Sequence, residues 1–233
     1  MKIILTGATG LVGAECVRLA LNNPQITEVV ALARKPVTVP DGASRSKLRS
    51  VVVEDLSQEY SEDVKEQLSG AHACIWNLAI TPSKARALPA NDVSKVCLDY
   101  TMTGIKTMAS VASTEVPFRF VYTSGALSER DPSKSLWLNP EYRKMRGEVE
   151  NRLLDYAVDT AGKVEVQVTK PGLIDHAGRF AAARTLLSAT GLSNINVSEL
   201  AAAELNQALG GFDKDTLMTT DLVRIGREAL WNS

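Results

Sequence analysis

The sequence predicts an α/β fold: a doubly wound, mainly parallel sheet with helices on both faces and a small C-terminal helical cap. Three observations predict it. Short, continuously apolar runs such as "KIILT", "EVVALA" and "FRFVYTS" alternate with longer amphipathic stretches, the mark of parallel strands buried on both faces. A glycine-rich turn, "TGATGLVG", joins the first apolar run to the first amphipathic one. Beyond Pro171 the pattern turns mostly helical.

The elements follow in order. "KIILT" reads as a strand, and "LVGAECVRLALNN" as a helix stopped by Asn22, Asn23 and Pro24. "EVVALA" is a second strand and "RSVVVEDL" holds a third. "DVKEQL" supplies a short helix and "AHACIWNLA" a fourth strand. One long helix is expected from about Asp92 to Ser113, with Val93, Val96, Cys97 and Tyr100 on one stripe. "FRFVYTS" is the fifth strand and "KVEVQVT" the sixth. Between them a helix opens at Asn139-Pro140-Glu141, where Asn139 offers a capping side chain, the proline suits the first turn and the acid favours the helix start. "VSELAAAELNQAL" stops at Gly210-Gly211, and "TDLVRIGREALW" is the last helix. Loops are expected at Pro36 to Lys47, Thr81 to Asn91 and Gly125 to Asn139, the last long enough to suggest binding. Residues 1–233 are expected to form a single nucleotide-binding domain, with a substrate cap mainly within 173–218.

Composition narrows the function. Lys and Arg total 26 against 27 Asp and Glu, a net charge of −1, so neither nucleic acid nor an anionic membrane is an expected partner. Cys16, Cys74 and Cys97 lie far apart without zinc-type spacing; they read as reduced, buried thiols, and no metal is expected. The apolar run of "MKIILTGATG" is too short for a signal peptide, and no segment is long enough to span a bilayer. The expectation is a cytoplasmic monomer or homodimer whose partner is a small-molecule substrate.

The glycine turn carries the first chemistry. Gly7, Gly10 and Gly13 fall between strand and helix, where a dinucleotide site needs a tight turn, backbone N–H groups close to a pyrophosphate and a helix packed near the strand. The helix N-terminus adds partial positive charge. An NAD site would usually place an acid at the end of the second strand; this chain has Arg34 and Lys35. Two cations suit a 2′-phosphate, so the expected cofactor is NADP(H), with a solvated basic loop as the plain alternative. Asp55, after the third strand, is placed to meet the adenine amino group or to be an ordinary strand-end carboxylate.

Taken in order, "TGATGLVG", "ALARK", "EDL", "NLA", "VYTSGA", "YRKMRGEVE" and "KPG" resemble an atypical short-chain dehydrogenase/reductase with a Rossmann fold. The likeness runs through nearly the whole chain. It is nearest to the Tat-interacting-protein-type oxidoreductases and their fungal relatives labelled nucleoside-diphosphate-sugar epimerase-like, and "GEVE" and "RIGREAL" belong to it. The resemblance implies that Gly7, Thr9, Gly10, Leu11 and Val12 surround the pyrophosphate. It puts Arg34 and Lys35 on the 2′-phosphate, Asp55 with Leu56 at the adenine, and Asn77, Leu78 and Ala79 beside the ribose. Pro171 and Gly172 would border the nicotinamide, and Thr123 and Ser124 stand where the family keeps the group that polarises a substrate carbonyl.

Tyr142 and Arg146 form a Y-x-x-x-R pattern where many nicotinamide enzymes carry Y-x-x-x-K. In the family the phenol passes a proton to or from the substrate oxygen, and the cation tunes it. Arg keeps the charge with a different head geometry. The plain alternative is that Tyr142 opens an apolar stripe with Met145, Val149 and Leu153 while Arg146 pairs with Glu150. A second departure is Gly125, one residue beyond Ser124, where extended relatives often carry the active serine.

Three functions are therefore expected in competition. The first is an NADP(H)-dependent oxidoreductase acting on a small, apolar or aromatic carbonyl or alcohol, with a place in secondary metabolism. The second is a non-redox isomerase, epimerase or cyclase on the same scaffold. The third is a regulatory binding protein that senses NADP(H).

Overall fold

The computed structural model describes residues 1–38, 45–176 and 193–231. Seven parallel strands build one sheet. They are β1 (Lys2–Thr6), β2 (Glu28–Ala33), β3 (Leu48–Val52), β4 (Ala73–Trp76), β5 (Phe118–Thr123), β6 (Val164–Lys170) and, after a separate parallel pair of β7 (Leu173–Asp175) and β8 (Asn194–Asn196), β9 (Thr216–Met218). The order across the sheet is β3-β2-β1-β4-β5-β6-β9. The chain winds outward from β1 to β3, then returns to place β4 on the other side of β1. Such a reversal opens a crevice at the C-terminal ends of the two central strands.

Alternate residues of each strand enter opposite cores, as the pleat requires. Ile4, Val30, Cys74, Trp76, Phe120 and Tyr122 face one side, packed with α2 (Glu62–Leu68), α5 (Tyr100–Val111) and α6 (Pro140–Asp159). Ile3, Leu5, Val29, Ala31, Ile75 and Val121 face the other, covered by α1 (Leu11–Asn22) and α7 (Val197–Gly210). In α1 the buried positions are Gly13, Cys16, Val17, Ala20 and Leu21, the three-and-four spacing of a single helical stripe. The last helix, α8 (Thr219–Trp231), packs Leu222 and Ile225 against Leu200 and Ala203 of α7. Cys16, Cys74 and Cys97 are buried and unbridged. Among the described residues no helix is long and apolar enough to cross a membrane.

Four expectations are corrected. The sheet has a seventh strand: β9 is three residues long, too short to show a period, and exists by pairing with Val168, Thr169 and Lys170 of β6. The single helix expected from Asp92 to Ser113 is interrupted. The loop expected at Thr81 to Asn91 contains the short α3 (Pro82–Ala85); α4 (Ala90–Ser94) and a wide π turn over Lys95–Asp99 then follow before α5 begins at Tyr100. The Tyr100 N–H reaches back five residues to the Lys95 carbonyl, and such a bulge rotates the residues it contains out of helical phase. Asn139 does not cap α6 through its side chain; it sits in a left-handed conformation at φ 46°, and its backbone carbonyl accepts from the Arg143 N–H at 3.1 Å.

The loop between β5 and α6 is laid along the helix it precedes. The Glu129 N–H donates to the Arg143 carbonyl at 3.0 Å, and Asn151 Nδ2 donates to the Arg130 carbonyl at 3.0 Å. Gly147 makes this possible, because a Cβ there would sit 1.8 Å from the Glu129 carbonyl oxygen. In a free helix Gly→Ala stabilises by about 1 kcal/mol; here overpacking wins. Gly147→Ala is expected to destabilise by about 1–3 kcal/mol, read as a lower denaturant midpoint, and an unchanged or higher midpoint would refute the close approach.

Candidate cofactor and active site

The site is assembled at the C-terminal ends of β1, β4, β5 and β6. β1 ends at Thr6, and Gly7 turns the chain with φ +65°, a region that favours glycine. The Gly10 N–H bonds the Gly7 carbonyl at 2.8 Å and starts α1. A Cβ on Gly7 would lie 2.7 Å from the Asn77 backbone, and one on Gly13 would lie 2.2 Å from the Gly7 oxygen. Strand, turn and helix therefore close to backbone contact. Thr9, Gly10 and Leu11 stay exposed at the mouth, with Val12 half-buried behind them. This is the form of cradle that a pyrophosphate needs at a helix N-terminus.

Arg34 and Lys35 follow β2 and are exposed. Across the ends of β2 and β3, Asp55 accepts from Ser57 N at 3.0 Å and Ser57 Oγ at 2.7 Å. It also pairs with Lys95 Nζ at 2.8 Å. The Lys95 ammonium and the Ser57 donors hold the Asp55 carboxyl well below the usual carboxylate range. Burial raises the Tyr100 phenol, with Asp55 adding to the rise and Lys95 and Arg34 opposing it, so these four groups share one neighbourhood. Lys95 is a cation that the sequence did not single out. It is placed there by the π turn. Leu56 contributes its side chain to the core, where it is fully buried.

Asn77, Leu78 and Ala79 leave β4 half-buried. The Asn77 side chain turns inward: Nδ2 donates to Glu204 Oε2 at 3.2 Å, and Oδ1 accepts from Thr123 Oγ1 at 2.6 Å. Ser124 Oγ donates to Glu150 Oε1 at 2.5 Å and lies 2.9 Å from Ser128 Oγ. Glu150 is fully buried on α6, and two cations hold it, Arg130 at 2.7 Å and Lys170 at 3.1 Å. Pro171 is buried where β6 ends, and the Gly172 N–H donates to Thr219 Oγ1 at 2.9 Å.

Tyr142 and Arg146 are brought together on the first turns of α6. The phenol donates to the Ile80 carbonyl at 2.8 Å, which sets it over the exit of β4. Burial pushes the Tyr142 phenol above its ordinary value, and Arg146 opposes this only in part, so the oxygen holds its proton at neutral pH. Arg146 is buried, donates to the Thr123 carbonyl at 2.6 Å, and lies 5.0 Å from the centre of the Tyr122 ring. The Arg146–Glu150 pair of the plain alternative is not what forms, since Glu150 takes Arg130 and Lys170 instead. The apolar stripe is real as well: Val149 and Leu153 are fully buried and Met145 packs beside them.

Sequence reasoning missed Glu150, Lys170, Lys95 and Glu204 as parts of the site. Lys95 carries no local signal, and Lys170 stood inside the "KPG" motif. Glu150 stood inside the "GEVE" motif, and Glu204 was detectable, because it interrupts the apolar stripe of Leu200, Ala201, Leu205 and Ala208 with a carboxylate.

A family described as NAD(P)H-binding matches residues 7–158. The chain is 36% identical over 124 residues to "Leucinostatins biosynthesis cluster protein T" of Purpureocillium lilacinum, covering 53% of this chain and 42% of that one. It is 27% identical over 159 residues to "Protein FMP52, mitochondrial" of Candida albicans, covering 68% of this chain and 63% of the relative. Among solved structures, MoeE5 in complex with UDP-glucuronic acid and NAD shares the fold at TM-score 0.67 and 16% identity, over 94% of this chain and 75% of that one.

The glycine cradle separates binding from folding. Gly10 has only the Gly7 oxygen near its missing Cβ, at 3.1 Å, whereas Gly13 has that atom at 2.2 Å. Gly10→Val is expected to abolish nucleotide binding in a calorimetric titration while leaving the thermal midpoint within a few degrees. Gly13→Val is expected to lower the midpoint itself. Undiminished nucleotide affinity in Gly10→Val would remove the cradle from the binding site.

Proposed function

Because the chain belongs to the NAD(P)H-binding family, whose match covers residues 7–158, we propose that it is an NADP(H)-dependent oxidoreductase of the atypical short-chain type. It works as a monomer or homodimer on a small, apolar or aromatic carbonyl or alcohol. The observation that carries this reading is Tyr142, a protonated phenol one turn from Arg146 at the strand ends, bonded to an exchangeable backbone partner, the Ile80 carbonyl. Exposed Leu88, Leu127, Trp137 and Leu138 on the loops after β4 and β5 support an apolar substrate. The relative named for a leucinostatins biosynthesis cluster supports a place in secondary metabolism. A cytoplasmic location is part of the proposal, with the relative named mitochondrial marking the competing compartment.

The residues present fit the cofactor. Gly7, Gly10 and Gly13 would admit the pyrophosphate, Arg34 and Lys35 the 2′-phosphate, and Asn77 to Ala79 the ribose beside β4. The bound nicotinamide would supply or accept the hydride. In the direction of reduction, Tyr142 exchanges the Ile80 carbonyl for the substrate oxygen and passes its phenolic proton to it. The Arg146 charge stabilises the phenolate left behind. Ser124, with its own proton committed to Glu150, receives a hydrogen bond from a substrate hydroxyl more readily than it donates one.

A non-redox isomerase or cyclase is favoured by one observation: the Arg146 guanidinium is bonded to the Thr123 carbonyl, which removes part of its freedom to meet a cofactor. Following NADPH absorbance with a panel of small aromatic and aliphatic carbonyls distinguishes the two. Turnover with Tyr142→Phe lowered by about 10²–10⁴ supports the oxidoreductase, with Arg146→Lys retaining activity. Substrate conversion without any change in NADPH absorbance would establish the second reading.

Cofactor choice is checked separately. NADPH is expected to bind more tightly than NADH, and Arg34→Ala to narrow that preference by about tenfold, the equivalent of one lost charge-assisted contact. Equal affinities in the unmutated protein would overturn the role of Arg34 and Lys35.

A further inference from the structure

One hydroxyl in the site faces two acceptors with a single proton. Thr123 Oγ1 lies 2.6 Å from Asn77 Oδ1 and 2.6 Å from Glu204 Oε1. Asn77 Nδ2 in turn lies 3.2 Å from Glu204 Oε2, so the three side chains close a ring of three contacts. An ionised Glu204 leaves that ring short of a donor. The Asn77 amide covers one contact and the Thr123 hydroxyl a second. The third would set lone pair against lone pair at hydrogen-bond distance. Turning the Asn77 amide over does not help, because its oxygen then faces Glu204 Oε2 with nothing between them.

One proton on Glu204 completes the ring in either orientation. Glu204 donates to Thr123, Thr123 to Asn77, and Asn77 back to Glu204. The neighbours fit an uncharged acid. The Thr169 hydroxyl lies 3.0 Å from Oε1 and Cys16 Sγ 3.7 Å from Oε2. Glu204 is fully buried. Among the described residues no cation bonds it, and the charged groups on the described elements packed around α7 pair elsewhere. On α1, Arg18 takes Glu15; on β5, Arg119 takes Glu165 and the carbonyls of Ala208 and Leu209. On β6, Lys170 takes Glu150; on α8, Arg227 takes Glu199 and Arg224 takes Glu228. Tyr122 of β5 faces the opposite core. An unpaired carboxylate in such a place would carry a heavy desolvation cost.

We propose that Glu204 is an un-ionised carboxylic acid acting as a positioning residue for the nucleotide, locking the ends of β4 and β5 through its ring with Asn77 and Thr123. The role rests on the NADP(H)-binding reading above. Asn77 is also the residue whose backbone abuts Gly7, so the ring braces the wall of the phosphate cradle from below. Its neutrality has an electrostatic purpose, because a negative charge there would oppose the phosphates that the cradle receives.

Deprotonation therefore breaks the ring and adds repulsion. Burial pushes the Glu204 carboxyl up, with Thr123, Asn77 and Thr169 pulling it only partly back. The folded chain then keeps a proton that the unfolded chain releases. Stability should fall as pH rises from the ordinary carboxylate range to the raised value, and nucleotide affinity should fall as pH rises above that value.

Glu204→Gln supplies an N–H where the acid has its O–H, and it closes the same ring. The expected result is retained folding, with NADPH affinity at low pH near that of the unmutated protein and the pH dependence gone. The unmutated protein should lose affinity by up to about tenfold per pH unit above the Glu204 titration. Glu204→Ala, which leaves the ring open over a cavity, should lose about tenfold or more of the affinity that Gln retains. In nucleotide-free protein, the infrared band of a protonated carboxyl should be present and vanish in Glu204→Gln.

Absence of that band, or a pH profile unchanged by Glu204→Gln, would overturn the proposal. Failure of the NADP(H) reading looks different. The band and a pH-dependent thermal midpoint would remain in a protein that binds no nucleotide at any pH, which overturns the positioning role while the neutral acid stands.

Discussion

The backbone contact between Gly7 and Asn77 is the constraint on which the rest of the site depends. With no side chain on Gly7 or Gly13, the exit of β1, the first turn of α1 and the exit of β4 approach within distances that a Cβ would forbid. Two consequences follow. The crevice at the centre of the sheet becomes narrow and lined by backbone, as an anionic ligand at a helix N-terminus requires. The Asn77 side chain is also carried inward over α1, where it meets Cys16 and Glu204. A wider turn would loosen the cradle and open the ring beneath it together.

Two buried glutamates meet adjacent residues at the exit of β5, Thr123 and Ser124, from opposite faces of the sheet. Glu150 comes from α6, bonds Ser124, and is held by Arg130 and Lys170. Glu204 comes from α7, bonds Thr123, and among the described residues its hydrogen-bond partners are the neutral groups of Thr123, Asn77, Thr169 and Cys16. Equal side chains are thus given opposite surroundings, two cations at one and hydroxyl, amide and thiol groups at the other. Arg146 completes the arrangement by bonding the Thr123 carbonyl. The end of β5 is thereby held by its carbonyl and by both hydroxyls, and the proposed function needs atoms there to be fixed within a fraction of an ångström.

The Tyr142–Arg146 pair shares its helix with a stripe of the core. Its residues belong to a helix whose stripe, Met145, Val149 and Leu153, is core packing. The same helix delivers a phenol to the exit of β4 because it starts there. Replacing Lys by Arg keeps the charge beside the phenol but redirects it, since a planar guanidinium can serve a backbone carbonyl and an aromatic face at once, as it does with Thr123 and Tyr122.

The sequence by itself determined the parallel sheet, the glycine cradle, the basic pair after β2 and the helix carrying Tyr142, because each rests on local patterns: apolar runs, glycine spacing and helix-start residues. It was silent on β9, whose three residues form a strand only by pairing with β6. It misread the α4–α5 segment, where periodicity continues through a π turn that costs one residue of phase. Above all it left the partners open. That Glu150 meets Lys170 and Arg130 rather than Arg146 is decided by which strand and loop lie against α6. That Glu204 meets Thr123, Asn77 and Thr169 is decided by α7 crossing the ends of three strands. Charge state and hydrogen-bond partner are properties of what surrounds a group in space, so only the tertiary structure could decide them.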